Sequence, residues 1–128
     1  MVELKFNESG TDAVYLANVN ILFAIVFSLA IFNNDWREDK LGSKSFLQKC
    51  IDWFRQMYEG GRTGNRLHVA ARKTARNELN QHIRKILYYV GIFGDEGDVT
   101  ALINSGVVAI RKRTRNRKPP KAANRNQQ

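Results

Sequence analysis

The side chains best suited to metal binding or nucleophilic attack in this sequence are two histidines and one cysteine. His68 and His82 lie about four helical turns apart, so they do not form the i,i+4 pair that places two imidazoles together. Cys50 is the single cysteine, which excludes an internal disulfide and a metal cluster held by cysteines alone. No nucleophile elbow, zinc-protease motif or phosphate-binding loop is present. We therefore expect no metal, no cofactor and no enzymatic activity.

Two glycine-rich segments have some features of ligand-binding loops. Residues 60–64, Gly-Gly-Arg-Thr-Gly, precede a predicted helix whose first N–H groups could hold an anion. They lack the Gly-Lys-Ser/Thr ending of a phosphate-binding loop, which favours a turn between two helices. Residues 94–98 include three acids without the ligand spacing of a calcium-binding loop. We expect Asp95 or Asp98 to cap a helix instead.

The strongest functional signal is the charge of residues 111–128. This segment has eight basic residues and no acidic residue, in a chain whose net charge is +9. Because the segment has almost no apolar side chain to bury, we expect it to be disordered unless a partner binds it. Its charges could neutralise nucleic-acid phosphates, contact an acidic protein or anionic lipid, or simply be solvated. The candidate residues for binding an anionic partner are Arg111, Lys112, Arg113, Arg115, Arg117, Lys118, Lys121 and Arg125.

Residues 13–32 contain no charged side chain, and their length matches the span of about 20 residues that crosses a bilayer. Asn18 and Asn20 interrupt the apolar sequence, and the flanking charges show no positive-inside bias. The segment also lacks the cleavage site of a signal peptide. We predict one continuous helix, apolar on all sides and buried by protein, with a partner subunit completing its burial. A single membrane span is the alternative.

Apolar residues recur with helical spacing in the two segments that follow. The second helix is predicted to begin at Ser43 or Ser45, whose hydroxyl can cap it, and to end at Glu59. A glycine pair then stops it, because glycine readily adopts the left-handed conformation found at helix ends. The third helix is predicted to begin near Thr63 and to end at Val90.

The chain is completed by shorter elements. A short fourth helix is predicted over residues 99–104, after a glycine-containing break. Apolar and polar residues alternate over residues 2–6, which weakly indicates a strand, and residues 107–110 are expected to be extended. The predicted fold class is all-α, a bundle of three long helices plus one short helix in residues 1–110. A disordered basic tail over residues 111–128 follows.

Large apolar side chains outside the predicted core stripes are candidates for contact with another subunit. Exposed aromatic side chains usually mark interfaces, and the uncharged helix needs a partner to be buried on every side. The residues predicted to form an oligomer interface are Ile21, Ile25, Phe27, Phe32, Trp53 and Tyr88.

Residues 60–112 resemble the helical N-terminal module of bacterial fibronectin type III domain proteins. The similar motifs are a Gly-Gly-Arg turn, an Ala-Ala-Arg-Lys-Thr-Ala-Arg helix at residues 70–76, and the segments 97–98, 102–107 and 111–112. Val107 stands where that family has an aromatic residue, and no β-sandwich follows in this sequence. The resemblance implies a helical module without enzymatic activity, of the kind found in surface, secreted or phage-associated structural proteins.

These observations predict a non-catalytic structural or assembly protein that self-associates and forms part of a phage virion or a cell-surface assembly. The first alternative is a small nucleic-acid-binding protein that acts through its basic tail. The second is a single-span membrane protein. Protein is the expected partner, with nucleic acid as the partner of the tail and a membrane less favoured. A virion or cytoplasmic location is favoured, because no signal peptide is evident.

Overall fold

The computed structural model describes residues 2–61 and 66–111, and within these ranges the chain is mostly helical. Three helices are long, which confirms the predicted helical bundle in outline. In addition to the helices, two short strands pair near the two ends of the described chain. The elements are β1 (Leu4–Phe6), α1 (Asp12–Val26), α2 (Ala30–Asn34), α3 (Glu38–Leu41), α4 (Lys44–Gly61), α5 (Arg66–Phe93), α6 (Glu96–Asn104) and β2 (Val108–Ile110).

The uncharged segment is two helices rather than the single continuous helix that was predicted. Helix α1 ends at Val26, where the hydroxyl of Ser28 donates to the carbonyl oxygen of Ile25 at 2.7 Å. Leu29 is extended and buried, and the N–H of Ala30 then donates to Oδ1 of Asp98 at 3.0 Å. A carboxylate from a distant part of the chain therefore accepts from the first N–H of α2.

Burial of α1 within the chain is one-sided, and the predicted partner subunit that would complete its burial stays a prediction. Its inner face supplies Tyr15, Val19 and Leu22 to the core, each 0% exposed. On its outer face Val14 is 50% exposed and Ile21 is 43% exposed. None of the helices in the described ranges is long and apolar enough to cross a bilayer.

Helices α4 and α5 pack side by side and form the largest contact of the fold. Ser43, one of the two predicted caps, caps α4, since its Oγ accepts from the N–H of Phe46 at 3.1 Å. Leu47, Ile51 and Phe54 from α4 and a matching stripe from α5 lie in one buried core. The helical spacing of apolar residues was thus sufficient to locate both helices.

Helix α5 continues to Phe93, beyond the predicted end at Val90. Gly91 lies inside the helix, and the start of the chain packs directly against it. The N–H of Val2 donates to the carbonyl oxygen of Gly91 at 3.0 Å, and a Cβ at Gly91 would overlap the carbonyl oxygen of Val2. This glycine therefore permits a close approach between two backbones and does not end the helix.

Strands β1 and β2 form an antiparallel pair with Leu4 opposite Ile110 and Phe6 opposite Val108. The N–H of Arg111 extends the pairing by donating to the carbonyl oxygen of Glu3 at 2.8 Å. Because β1 packs against α5, the pairing places the first residue of the basic segment beside that helix.

Helix α6 begins at Glu96, three residues before the predicted start, with both predicted capping residues in use. Asp95 accepts from the N–H of Asp98 at 2.8 Å, and the side chain of Asp98 accepts from the N–H of Asp95 at 3.2 Å. This reciprocal pair is a capping box, and it confirms the prediction that the acidic cluster caps a helix.

Candidate functional site

The one extensive polar cluster among the described residues ties α1 to α5. Arg76 lies over the ring of Tyr15, 4.1 Å from its centroid, and its Nη1 is 2.7 Å from Oδ1 of Asp12. Nε of Arg72 lies 3.0 Å from Oδ2 of Asp12. The hydroxyl of Tyr15 donates to Oδ1 of Asn80 at 2.5 Å, and burial raises the pKa of that hydroxyl. Nε of Arg72 is buried and forms no hydrogen bond despite its short distance to Asp12, whereas Arg76 and Tyr15 are both hydrogen-bonded, so the cluster joins α1 to α5.

The titratable side chains singled out in the sequence do not converge. Cys50 is half-buried, and burial raises the pKa of its thiol, which lowers its reactivity. His82 lies edge-on to the ring of Phe46 with centroids 5.3 Å apart, and burial lowers its pKa. The side chain of His68 lies outside what the structure describes. Within the described ranges, no three His, Cys, Asp or Glu side chains are grouped so that they could hold a metal ion.

The six predicted interface residues fall into two groups. Ile21, Trp53 and Tyr88 are exposed, and they belong to three different helices. The other three pack against the core of their own chain: Ile25, Phe27 and Phe32.

An aromatic row accounts for two of the packed residues. The ring of Phe27 lies between those of Phe23 and Phe32, with centroids 5.6 and 5.1 Å away. The row continues from Phe32 to Trp36 at 4.9 Å and from Trp36 to Tyr89 at 5.8 Å. Phe27 and Phe32 therefore help to join the uncharged segment to α5.

Of the eight basic residues expected to bind an anionic partner, only Arg111 lies within the described residues. Its Nη1 is 3.7 Å from the carboxylate of Glu3, and its side chain is largely exposed. The remaining seven lie outside the described residues: Lys112, Arg113, Arg115, Arg117, Lys118, Lys121 and Arg125.

The first uncovered surface is the outer face of α1, which we call the α1 seam and define by Val14, Ala17, Ile21 and Ala24. All four residues are exposed. Their alternating spacing of three and four positions is that of a coiled-coil contact line. No charged residue occurs between Ala13 and Asn34, so the seam itself carries no ionised side chain. Solvated helix faces are usually charged, which makes this face suited to contact with protein.

The second uncovered surface is a groove of about 640 Å³ between α3 and α5, which we call the α3–α5 groove. Tyr88 and Ile92 lie one turn apart along its α5 side, as do Tyr89 and Phe93. The side chains of Tyr88 and Phe93 are 62% and 64% exposed. The hydroxyl of Tyr89 donates to the carbonyl oxygen of Asp35 at 2.8 Å, which fixes its ring as part of the wall.

The charged side chains that line the α3–α5 groove are all cationic: Arg37, Lys40 and Lys85. Arg37 pairs with Asp39 at 3.4 Å, whereas neither lysine forms an ion pair with any residue that the structure describes. The groove therefore retains positive charge beside an apolar and aromatic wall, which is suited to an anionic ligand with flat apolar parts.

A smaller pocket of about 410 Å³ lies on the other side of Tyr88 and reaches Arg111. Both of its acids lie near a base, since Nε and Nη2 of Arg84 donate to the two carboxylate oxygens of Glu8 at 2.7 and 2.6 Å, and Lys5 is a third base in the lining. Glu3 lies near Arg111 in the same pocket. Tyr88 thus lies between a pocket that contains both acids and bases and a groove whose charged side chains are all cationic.

Comparisons with models of known protein families, with curated proteins and with solved structures found no match. The resemblance of residues 60–112 to the fibronectin-associated helical module stays a prediction. The function must therefore be argued from the two uncovered surfaces.

Sequence reasoning missed both surfaces as units. The spacing of the α1 seam is readable in the sequence, but its outward orientation depends on which face of α1 packs inward. Phe93 and Ile92 were assigned to a break after Val90, so their proximity to Lys40 across the groove was not foreseen.

Proposed function

We propose that this chain is a non-catalytic assembly protein that pairs with a second copy of itself through the α1 seam. The observation that carries the proposal is the absence of charge on a helix face that is open to solvent. The larger assembly, of the virion or cell-surface kind that the resemblance implies, belongs to the same proposal.

A second copy is the occupant that fits this face best. A two-fold axis places the same seam opposite itself, and without ionised side chains no like charges meet. Ala17 and Ala24 allow the helices to approach closely, while Val14 and Ile21 project into the spaces between side chains of the opposite helix. Apolar surface left in water by one copy is thereby removed by the other.

The test is the association state of the full chain by sedimentation velocity over a concentration series in the micromolar range. We expect concentration-dependent dimers, which Ile21→Glu weakens at least about tenfold, because each copy then buries an unpaired carboxylate at the seam. Ile21 is 43% exposed, so the substitution leaves the folded monomer intact by far-UV circular dichroism.

The matched control is Ile110→Glu, which changes an isoleucine that is 54% exposed in β2, away from α1. It is expected to dimerise like the unmodified chain. A chain that stays monomeric at every concentration contradicts the proposal, as does equal weakening by both substitutions.

A further inference from the structure

The α3–α5 groove places aromatic rings beside unpaired cations, and this combination is independent of the α1 seam. Tyr88 contacts no other ring among the described residues and has more than half of its surface in solvent. Phe93 packs against Tyr89 with centroids 4.9 Å apart and is equally exposed. Exposed aromatic rings on a rigid helix can stack on planar groups without first being ordered.

Cations line the same groove. Lys40 approaches from α3 and Lys85 from α5, so positive charge lies on both sides of the opening. No carboxylate lines the groove in the part of the chain that the structure describes, and the one nearby ion pair involves Arg37. A ligand that carries negative charge along a flexible backbone would be attracted to both walls.

The basic segment begins close to this groove and carries charge of the same sign. Arg111 lines the pocket on the far side of Tyr88, and residues 111–128 carry eight bases and no acid. Since groove and segment have the same sign of charge, they repel one another and attract the same anionic partner. The segment contains no aromatic residue, so the rings needed for stacking come from α5.

We infer that the α3–α5 groove binds single-stranded nucleic acid, with bases stacked on Tyr88 and Phe93 and phosphates near Lys40 and Lys85. A single strand combines planar bases with regularly spaced negative charge, which matches both features of the groove. In a duplex the bases are already stacked on one another, so the rings have nothing to bind. A lipid surface supplies negative charge but no planar groups for the two rings to stack on, so it matches one feature of the groove rather than both.

The experiment is fluorescence anisotropy of the full chain with labelled oligo(dT), oligo(U) and a DNA duplex of the same length. Residues 111–128 attract any polyanion, so the informative quantity is the ratio of single-strand to duplex affinity. We expect Tyr88→Ala to lower that ratio at least about fivefold, since the loss of one stacked base weakens single-strand affinity by that factor or more. Tyr88→Trp keeps a stacking surface and is expected to retain the ratio.

The cationic half of the site has its own readout. Lys85→Gln is expected to weaken single-strand binding. It is also expected to reduce the steepness of the plot of log binding constant against log salt concentration by about 0.7. Lys73→Gln is the matched control, because Lys73 is exposed on the same helix but lies outside the groove.

Trp53→Ala is the control for the aromatic substitution, since Trp53 is 49% exposed on α4 and does not line the groove. The inference is overturned if Tyr88→Ala leaves the ratio of single-strand to duplex affinity unchanged. It is also overturned if Trp53→Ala lowers that ratio as much as Tyr88→Ala does. The inference is also overturned if Tyr88→Ala weakens binding to phosphatidylserine vesicles but leaves single-strand binding unchanged. That result would assign the groove to membranes. Comparison of oligo(dT) with oligo(U) decides between DNA and RNA.

Discussion

Replacement of Asp98 by alanine tests the contact that joins two distant parts of the fold. The carboxylate of Asp98 is 4% exposed and accepts two backbone hydrogen bonds. One comes from Ala30 at the start of α2, at 3.0 Å, and the other from Asp95 at the start of α6, at 3.2 Å. One side chain therefore caps two helices that are far apart in the sequence.

The expected loss of stability follows from those two bonds. A hydrogen bond to a charged group contributes about 1.5 to 3 kcal/mol, and loss of a helix cap costs about 0.5 to 2 kcal/mol. Ala30 is exposed, so water can replace part of what its N–H loses. We therefore expect Asp98→Ala to lower the free energy of unfolding by about 2 to 4 kcal/mol, a large share of the stability of a typical domain.

The assay is urea unfolding monitored by far-UV circular dichroism, with Glu96→Ala as the matched control. Glu96 is an exposed acid in the same first turn of α6, so its loss is expected to cost less than about 0.5 kcal/mol. Asp98→Asn keeps one acceptor oxygen and is expected to fall between the two. If Asp98→Ala and Glu96→Ala unfold at the same urea concentration, the double-capping role assigned to this carboxylate is refuted.

Two further predictions concern α5. Gly91→Ala places a methyl group against the carbonyl oxygen of Val2, so we expect a loss of about 1 to 3 kcal/mol in urea unfolding; an unchanged midpoint would contradict that close approach. Burial lowers the pKa of His82 below 6.5 in the folded chain, so the unfolded chain takes up the proton first as the pH falls. Stability is therefore expected to decrease as the pH falls through 6.5, and His82→Asn should show a smaller decrease in unfolding midpoints measured across that range. An equal pH dependence in both chains would contradict this role of His82.

Local sequence signals were sufficient for the elements that depend on neighbouring residues. The spacing of apolar residues located α4 and α5, and Ser43 and Asp95 were recognisable as caps because capping involves only the next turn of the chain. The uncharged stretch was identified as a helix former for the same reason. What these signals could not supply was which side of each helix faces inward.

Contacts between distant residues decided the features that the sequence did not reveal. Asp98 accepts from the N–H of Ala30 at the start of α2, and glycine is required at position 91 because Val2 packs on it. Neither of these two contacts can be predicted from the spacing of nearby residues. The α3–α5 groove likewise exists only because Arg37 and α3, which carries Lys40, lie beside an α5 that extends to Phe93.

The sequence by itself determined that this chain is mainly helical, that residues 13–32 carry no charge and that residues 111–128 are strongly basic. Tertiary structure decided that only one face of α1 is buried and that Phe27 and Phe32 pack within their own chain. It also decided that Tyr88 and Phe93 line the same groove as Lys40 from another helix. The physical reason is that composition and periodicity are properties of neighbouring residues, whereas an exposed surface is what remains after distant segments have packed together.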